Sequence, residues 1–432
     1  VTTGRYVLCS TPNVGHTTPL LALSRRLVAD GHEVVFFTTE HYREKAEATG
    51  ARFVPFASEY DAHDLMAVNA DREAAARRGI RGLKQDLRQI FLGPITGQSR
   101  DLGTILDGMV ADAVVVDCMF FGVLPLALRA RRQRPLLACV GVMPLTSSSR
   151  DTAPFGSAML PGKGSLARLR NRVMNWTGEH VALRDMQRLA RRAVAGAGGP
   201  SFSGSFVDIF PKVADVFFQA GVVGFEYPRT DLEPTIKFVG PILPLPSATF
   251  DPPTWWPELS SGRPVVHVTQ GTLDNADLSR LLRPTIDALA HDDLLVVATT
   301  GGPDPGPVGP LPDNVRLERF IPHDQLLPHV DVMVTNGGYG GVQQALANGV
   351  PLVVAGNSED KPEVAARVRW SGAGIDLGTG KPHPRAIGRA VRRVLAEPAF
   401  GQRARALQSE IVSSRPLDEI CAHLARWRGD GA

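Results

Sequence analysis

Cysteine is scarce in this 432-residue chain, which has four, and Cys9, Cys118, Cys139 and Cys421 show no metal-ligand spacing. Three of them fall inside apolar runs that read as buried strands. Neither a disulfide framework nor a zinc module is indicated, and a reduced, cytoplasmic setting fits best. No apolar run reaches the roughly 18 residues needed to cross a bilayer, and the first residues run into a strand pattern without a signal-peptide core. Excess charge is missing too. The formal net charge is +3, too small for a nucleic-acid partner, so the Arg-rich stretch Arg168 to Arg172 reads as a solvated helix face. His41, His63, His267, His323 and His423 share no spacing with one another or with cysteine; they read as structural or surface residues, and no metal is expected.

Apolar residues at 43% and charged residues at 21% are ordinary for a compact globular chain, and the length favours two domains over one. Short β-branched runs alternate with helix-period segments throughout. In the first half they are Tyr6 to Ser10, Val34 to Thr39, Ala113 to Cys118 and Leu136 to Gly141. In the second they are Val265 to Gln270, Leu294 to Thr300, Val315 to Phe320, Val332 to Thr335 and Leu352 to Ala355. Such alternation predicts two α/β domains, each on a parallel sheet. Between the halves, Gly240 to Pro264 carries seven prolines, a density that forbids helix and ladder and marks a linker. An Ala- and Arg-rich helical stretch from about Glu59 to Arg100 could wall a site. In open α/β sheets ligands gather at the carboxyl ends of strands, so two facing sheets would make a deep cleft.

Two constellations sit at such strand ends. Thr335-Asn336-Gly337-Gly338-Tyr339-Gly340-Gly341 joins a strand to a helix, and glycines there let backbone amides and a helix N-terminus approach an anion such as a diphosphate. A tight turn without a ligand would use the same glycines. The pattern fits neither a dinucleotide fingerprint nor a P-loop. The other constellation is His16, in the loop after the first strand, with Asp117 closing the apolar strand Val114-Val115-Val116. A neutral imidazole suits proton abstraction near neutral pH, and a carboxylate can hold its tautomer. A capping or loop histidine and a helix-capping aspartate are the bland alternatives.

The stretch Gly337-Gly338-x-Gly340, followed by Gln344-Ala345-Leu346, Gly349-Val350-Pro351 and Asp360-Lys361, resembles the donor-binding signature of the family 1, UDP-glycosyltransferase-like glycosyltransferases. That family includes actinobacterial antibiotic and macrolide transferases. Nearly the whole chain shares the likeness, through Gly15-His16-x-x-Pro19, Val239-Gly240-Pro241, Gly271-Thr272 and Phe320-Ile321-Pro322-His323. The resemblance implies a GT-B fold of two facing Rossmann-like domains. Residues 1–240 would bind the acceptor, 241–262 would link, and 263–415 would bind the nucleotide sugar, with a helix over 416–432 packing back on the first domain.

The family likeness also implies roles. Phe320 would stack on the nucleotide base, although a core residue ending a strand would look the same. Ile321 and His323 would flank it. Gly15, Gly271 and Thr272 would approach the donor from the opposite loops, Asp360 would accept hydrogen bonds from sugar hydroxyls, and Lys361 stands where glutamine is common. Three positions depart from the family pattern. Asn336 stands for a diphosphate-contacting histidine, Gly341 for a hydroxyl residue and Gln344 for a ribose-binding glutamate.

The reading is an inverting transferase that moves a sugar from a UDP- or dTDP-sugar to a hydroxyl of a small hydrophobic natural product. His16 is its base, and no metal or further cofactor is needed. The apolar loops Met119 to Leu124 and Val140 to Leu145 suit a greasy acceptor or are core. The state is monomer or homodimer. A non-catalytic nucleotide-sugar-binding partner protein and a nucleotide-sugar epimerase on the same fold are the alternatives.

Overall fold

The computed structural model describes residues 3–57 and 80–430, apart from 248, 273, 274, 276, 303 and 305–307; His63 and the first half of the Glu59 to Arg100 stretch lie outside them. Thirteen strands appear among the described residues: β1 (Arg5–Cys9), β2 (Glu33–Thr38), β3 (Arg52–Pro55), β4 (Ala113–Asp117), β5 (Leu136–Gly141), β6 (Val216–Gln219), β7 (Ile236–Phe238), β8 (Val265–Thr269), β9 (Leu295–Thr299), β10 (Val315–Glu318), β11 (Val332–Thr335), β12 (Leu352–Val354) and β13 (Gly374–Asp376). The helices that matter below are α1 (Val14–Ala29), α2 (Ile95–Asp107), α3 (Gly164–Thr177), α4 (Arg184–Gly196), α5 (Leu282–Leu289), α6 (Tyr339–Ala347), α7 (Lys361–Ser371), α8 (Pro384–Ala396), α9 (Pro398–Ser413) and α10 (Pro416–Asp430).

The strands form two sheets, ordered β3-β2-β1-β4-β5-β6-β7 and β10-β9-β8-β11-β12-β13, with every pairing parallel. Helices cover both faces of each, which is why runs such as Val114-Val115-Val116 and Val332-Met333-Val334 are apolar at every position and wholly buried. In each sheet the chain begins in the middle, winds to one edge and returns to build the other. The reversals fall between β1 and β4 and between β8 and β11, and each opens a crevice at the strands' carboxyl ends. Both sequence constellations lie at these crevices.

β3, β6, β7 and β13 were not expected from the sequence. Each is three or four residues long, too short to display a period, and β3 even ends in proline. The proline-rich linker is not wholly irregular: Trp256–Ser260 forms a 3-10 turn, with Pro257 in its first turn, where a missing N–H costs nothing. Phe250, Trp255 and Trp256 pack this segment against the second core, and Trp255 Nε1 donates to Glu318 on β10 at 2.9 Å. The chain then recrosses at its end. α9 seats Ala404, Leu407 and Ile411 in the second core, whereas α10 buries Ile420 and Leu424 in the first. At this crossing Gly240 adopts φ +86°, and a Cβ there would meet Ser414 Oγ at 1.9 Å; glycine is demanded by space as well as by backbone.

The halves are joined by charge as well as by chain. Glu226, in the β6–β7 connection, receives Arg367 Nε at 3.0 Å and Nη2 at 2.7 Å from α7, and Arg229 Nη1 at 3.2 Å. Arg367 also donates to Glu363 at 2.9 Å and lies 4.3 Å over the Tyr227 ring. Burial pushes the Glu226 carboxyl up, but the Arg367 and Arg229 charges outweigh it and hold it below the usual range. Its stabilisation is therefore complete above the unfolded carboxylate pKa and is lost as pH falls through the lower folded value. Glu226→Gln, which leaves Glu363 alone to balance the buried guanidinium of Arg367 and takes the Glu226 charge from Arg229, should cost about 3 kcal/mol or more, read as a lowered urea midpoint at pH 7. A midpoint equal to the parent's would mean that the cluster does not bear on stability.

Candidate active site

α1 begins directly after β1, with Asn13 as its N-cap accepting from Gly15 N at 2.9 Å. His16 thus lies in the first turn of a helix and not in a loop. Gly15 has its own amide committed to that cap. Across the crevice, Asp117 ends β4 and is fully buried. Its carboxylate accepts from Thr11 N at 2.5 Å, Thr11 Oγ1 at 3.1 Å and Met119 N at 2.8 Å, and from His16 Nδ1 at 2.8 Å. It is an orienting partner and caps no helix. Because an ionised carboxylate only accepts, the proton sits on Nδ1 and the lone pair of His16 is on Nε2.

Burial lowers the His16 pKa, but the charge and hydrogen bond of Asp117 raise it, and Asp360 and Glu359 of the second half add to the rise. The net shift is upward from 6.5. The reciprocal pull shows at Asp360, whose carboxyl is raised by burial and by Glu359 while His16 and Lys361 draw it down. The two crevices therefore face each other closely enough for their charges to couple. Glu359 holds φ +54°, an uncommon backbone state for a non-glycine residue and one found at functional sites.

On the second sheet, Gly271 leaves β8 at φ +72° and exposed Thr272 follows it. The turn after β11 begins with Asn336, which is buried and whose amide donates to the Gln270 carbonyl. Through this one amide N–H it staples the two loops together. Gly337 adopts φ +87°, and a Cβ there would stand 2.6 Å from Val354. Gly338 caps α6, and nothing lies within 4 Å of a Cβ placed at Gly338 or Gly340. Gly341 completes the first turn. The opening amides of α6, which no helix can satisfy internally, thus border open space. Gln344 donates to Gly340 O at 3.2 Å and hydrogen-bonds the His323 ring, which burial holds below its ordinary pKa and therefore neutral.

Phe320 follows β10 and is 66% exposed, so it is no core residue. Ile321 is buried in the second core, and only its backbone could touch a ligand. Lys361 is turned back onto Ser358 and Glu359. The apolar loops are mostly interior: Phe120, Phe121, Val123, Leu124, Val140, Val142 and Leu145 are buried, with Met119 and Met143 only partly so.

Residues that sequence reasoning passed over complete the site. Thr11 locks Asp117, Gln270 receives Asn336, and Glu363, in the first turn of α7, accepts from Gly156 N and Ala158 N, both at 2.8 Å, tying a first-domain loop beside Asp360. A glutamate three residues into a helix after Asp360 was the available signal. Among the described residues, His16, Asp117 and Cys118 bring ligand atoms within 4.8 Å of one another. Both Asp117 oxygens, however, are committed to hydrogen bonds, and burial with the Asp117 charge keeps Cys118 a thiol. That donor set handles a proton better than an ion.

Two facing parallel-sheet domains with a cleft at their switch points define the GT-B fold. Across 98–100% of this chain and 99–100% of theirs, the glycosyltransferase of kitacinnamycin and CalG4, the calicheamicin glycosyltransferase, superpose with TM-scores of 0.74 and 0.72 at 21% and 23% identity. The chain belongs to the family 1 natural-product glycosyltransferases. It is 45% identical over 407 residues to 4'-demethylrebeccamycin synthase of Lentzea aerocolonigenes, covering 94% of this chain and 95% of that one. It is 32% identical to UDP-glucosyltransferase 1 of Beauveria bassiana, covering 98% and 95%. Residues 283–426 match the erythromycin biosynthesis protein CIII-like C-terminal domain. It is therefore an enzyme that takes a nucleotide-sugar donor and a natural-product acceptor. Among the described residues no helix is long and apolar enough to cross a membrane.

The upward shift of His16 can be read directly. An NMR titration of its ring should have a midpoint above 6.5, and Asp117→Asn, which removes the principal raising charge, should move it down. An unmoved midpoint would show that the pair is not electrostatically coupled.

Proposed function

We propose that the protein is an inverting, metal-independent transferase in which His16 deprotonates a hydroxyl of a small hydrophobic acceptor. The observation that carries this is the His16–Asp117 pair at the β1/β4 crevice, charge-coupled to Asp360 across the cleft. The acceptor oxygen attacks the anomeric carbon as its proton passes to His16 Nε2, and the bond from that carbon to the diphosphate oxygen breaks on the opposite side. Asp117 steadies the imidazolium. The leaving diphosphate is met by the opening amides of α6, with Gly271 and Thr272 opposite, supplying the electrostatic stabilisation that a metal would otherwise give. Phe320 offers a π-face to the base, and Asp360 accepts from sugar hydroxyls.

UDP and dTDP both suit such a site. The 32%-identical relatives are named UDP-glucosyltransferases, and VinC, a solved structure of like fold, was captured with dTDP. Relatives named as transferases and a synthase leave the non-catalytic and epimerase readings without support. A cytoplasmic site of action as monomer or homodimer accords with this reading. The interior placement of most of the apolar loop residues leaves Met119 and Met143 as their contribution to an acceptor wall.

His16→Ala should lower turnover at saturating donor by about a hundred- to ten-thousand-fold, with calorimetric nucleotide affinity nearly intact. Asp117→Asn should lose part of that factor, and the double variant should be little worse than His16→Ala. Turnover should persist in excess chelator. Near-parental transfer by His16→Ala, or nucleotide affinity falling in step with turnover, would remove His16 from the mechanism; loss in chelator restored by magnesium would overturn the metal-free step alone.

A further inference from the structure

α3 is mounted with its polar side inward. Asn171, fully buried, donates to Arg150 O at 3.1 Å, and Asn175 donates to Ser149 O at 3.1 Å and Thr152 O at 3.3 Å. Arg168 pairs with Asp151 at 2.9 Å. The opposite face carries Leu166, Leu169, Val173 and Trp176, spaced to share one side of a helix, and all are exposed, Leu166 by 81% and Trp176 by 57%. Exposed Val181 continues the face one turn on. Burial of an amphipathic helix normally runs the other way, apolar side in, and an apolar patch of this extent on a soluble face marks a contact surface.

The flanking charges choose the partner. At about 100° per residue, Arg170 and Arg172 fall on either side of the apolar stripe; Arg172 is exposed, as is Lys163 just before the helix, whereas Arg170 is half-buried and donates to Asn171 Oδ1 at 3.2 and 2.9 Å, and Gly164–Thr177 contains no acidic residue. Two copies of this face brought together would set arginines against arginines across the seam. An anionic lipid surface meets both demands: the leucine, valine and tryptophan side chains enter the acyl boundary while exposed Arg172 and Lys163 reach the headgroup phosphates.

We propose that α3 is a peripheral membrane-docking helix that seats the first domain on anionic phospholipid. The loop 149–158 that anchors α3 is the one held by Glu363 beside Asp360, so docking would set the lip of the cleft near the bilayer, where a hydrophobic acceptor partitions. The docking itself does not depend on which acceptor is used or on the role of His16.

The probe is cosedimentation with vesicles of phosphatidylcholine alone or of equal parts phosphatidylcholine and phosphatidylglycerol. The parent should sediment with the mixed vesicles, lose that binding as salt rises, and stay in solution with phosphatidylcholine. Lys163→Gln/Arg172→Gln should weaken binding about tenfold or more, and Leu166→Ser/Val173→Ser/Trp176→Ser should abolish it, each with the parent's melting temperature and its turnover of a water-soluble acceptor. The Lys163→Gln/Arg172→Gln variant alters exposed charge and leaves both the apolar contacts and the Asn171 anchor alone, so it keeps the test sound should the triple variant fold poorly. A parent that never sediments overturns the proposal, and a concentration-dependent dimer dissolved by the triple variant would then identify a second copy as the occupant. Variants that bind as well as the parent place the docking elsewhere and overturn it equally.

Discussion

The geometry of this enzyme rests on one buried guanidinium. Arg367 comes from α7 of the second domain and is almost wholly removed from water, yet its principal partner, Glu226, belongs to the first. A charge so placed cannot be left without its counter-ion, because desolvation would cost several kcal/mol. The two domains are therefore held in register at this point, and α7 is fixed relative to the first sheet. Since Asp360 and Glu359 immediately precede α7, their distance from His16 follows from the same constraint. Phe225 and Val222, from the β6–β7 connection, enter the second hydrophobic core and reinforce it. Leu145 N donates to Glu226 at 3.0 Å, so the loop leading towards α3 shares the anchor.

Within that frame Asp117 is the second fixed charge. Four hydrogen bonds converge on its carboxylate, two of them from backbone amides whose positions β1 and β4 set. The sheet thus holds the carboxylate and the carboxylate holds the imidazole, which leaves His16 little orientational freedom to lose on reaching a transition state. The same charge that orients the ring raises its pKa. The rise strengthens the ring's hold on a proton taken at Nε2.

Much of this was legible in the sequence, for a physical reason. Buried parallel strands need apolar side chains on both faces, so β1, β4, β8 and β11 announce themselves, and the residues following them fall at the crevices without further information. His16 and Asp117 were found that way, and Phe320 by likeness to the family. What the sequence hid was long-range and polar. No spacing connects Glu226 to Arg367, 141 residues apart, or Asn171 to Arg150. Whether an apolar side chain such as Val123 or Leu169 faces in or out is decided by the neighbouring chain. α3 shows the point most sharply: its arginines read as an ordinary solvated face, and only the inward asparagines reveal that its leucines are the residues facing water.

The departures at Asn336, Gly341 and Gln344 gain meaning from the same geometry. Where the family carries a histidine, Asn336 spends its amide on the Gln270 carbonyl and rigidifies the junction of the β8 and β11 loops. Where the family carries a glutamate, Gln344 supports the His323 ring and bonds Gly340 O. The substitutions remove one potential cation and one anion from the donor side while keeping the backbone of the turn in place. On the proposed mechanism, electrostatic stabilisation of a diphosphate then falls on the opening amides of α6 and the partial positive charge of its N-terminus. These act by position and have no titrating group of their own. His16, Asp360, Glu359 and Lys361 are consequently among the ionisable groups whose states change the field inside the cleft. On the proposed mechanism, in which Asp360 meets the sugar and His16 the acceptor, binding one substrate alters the charge felt by the group serving the other.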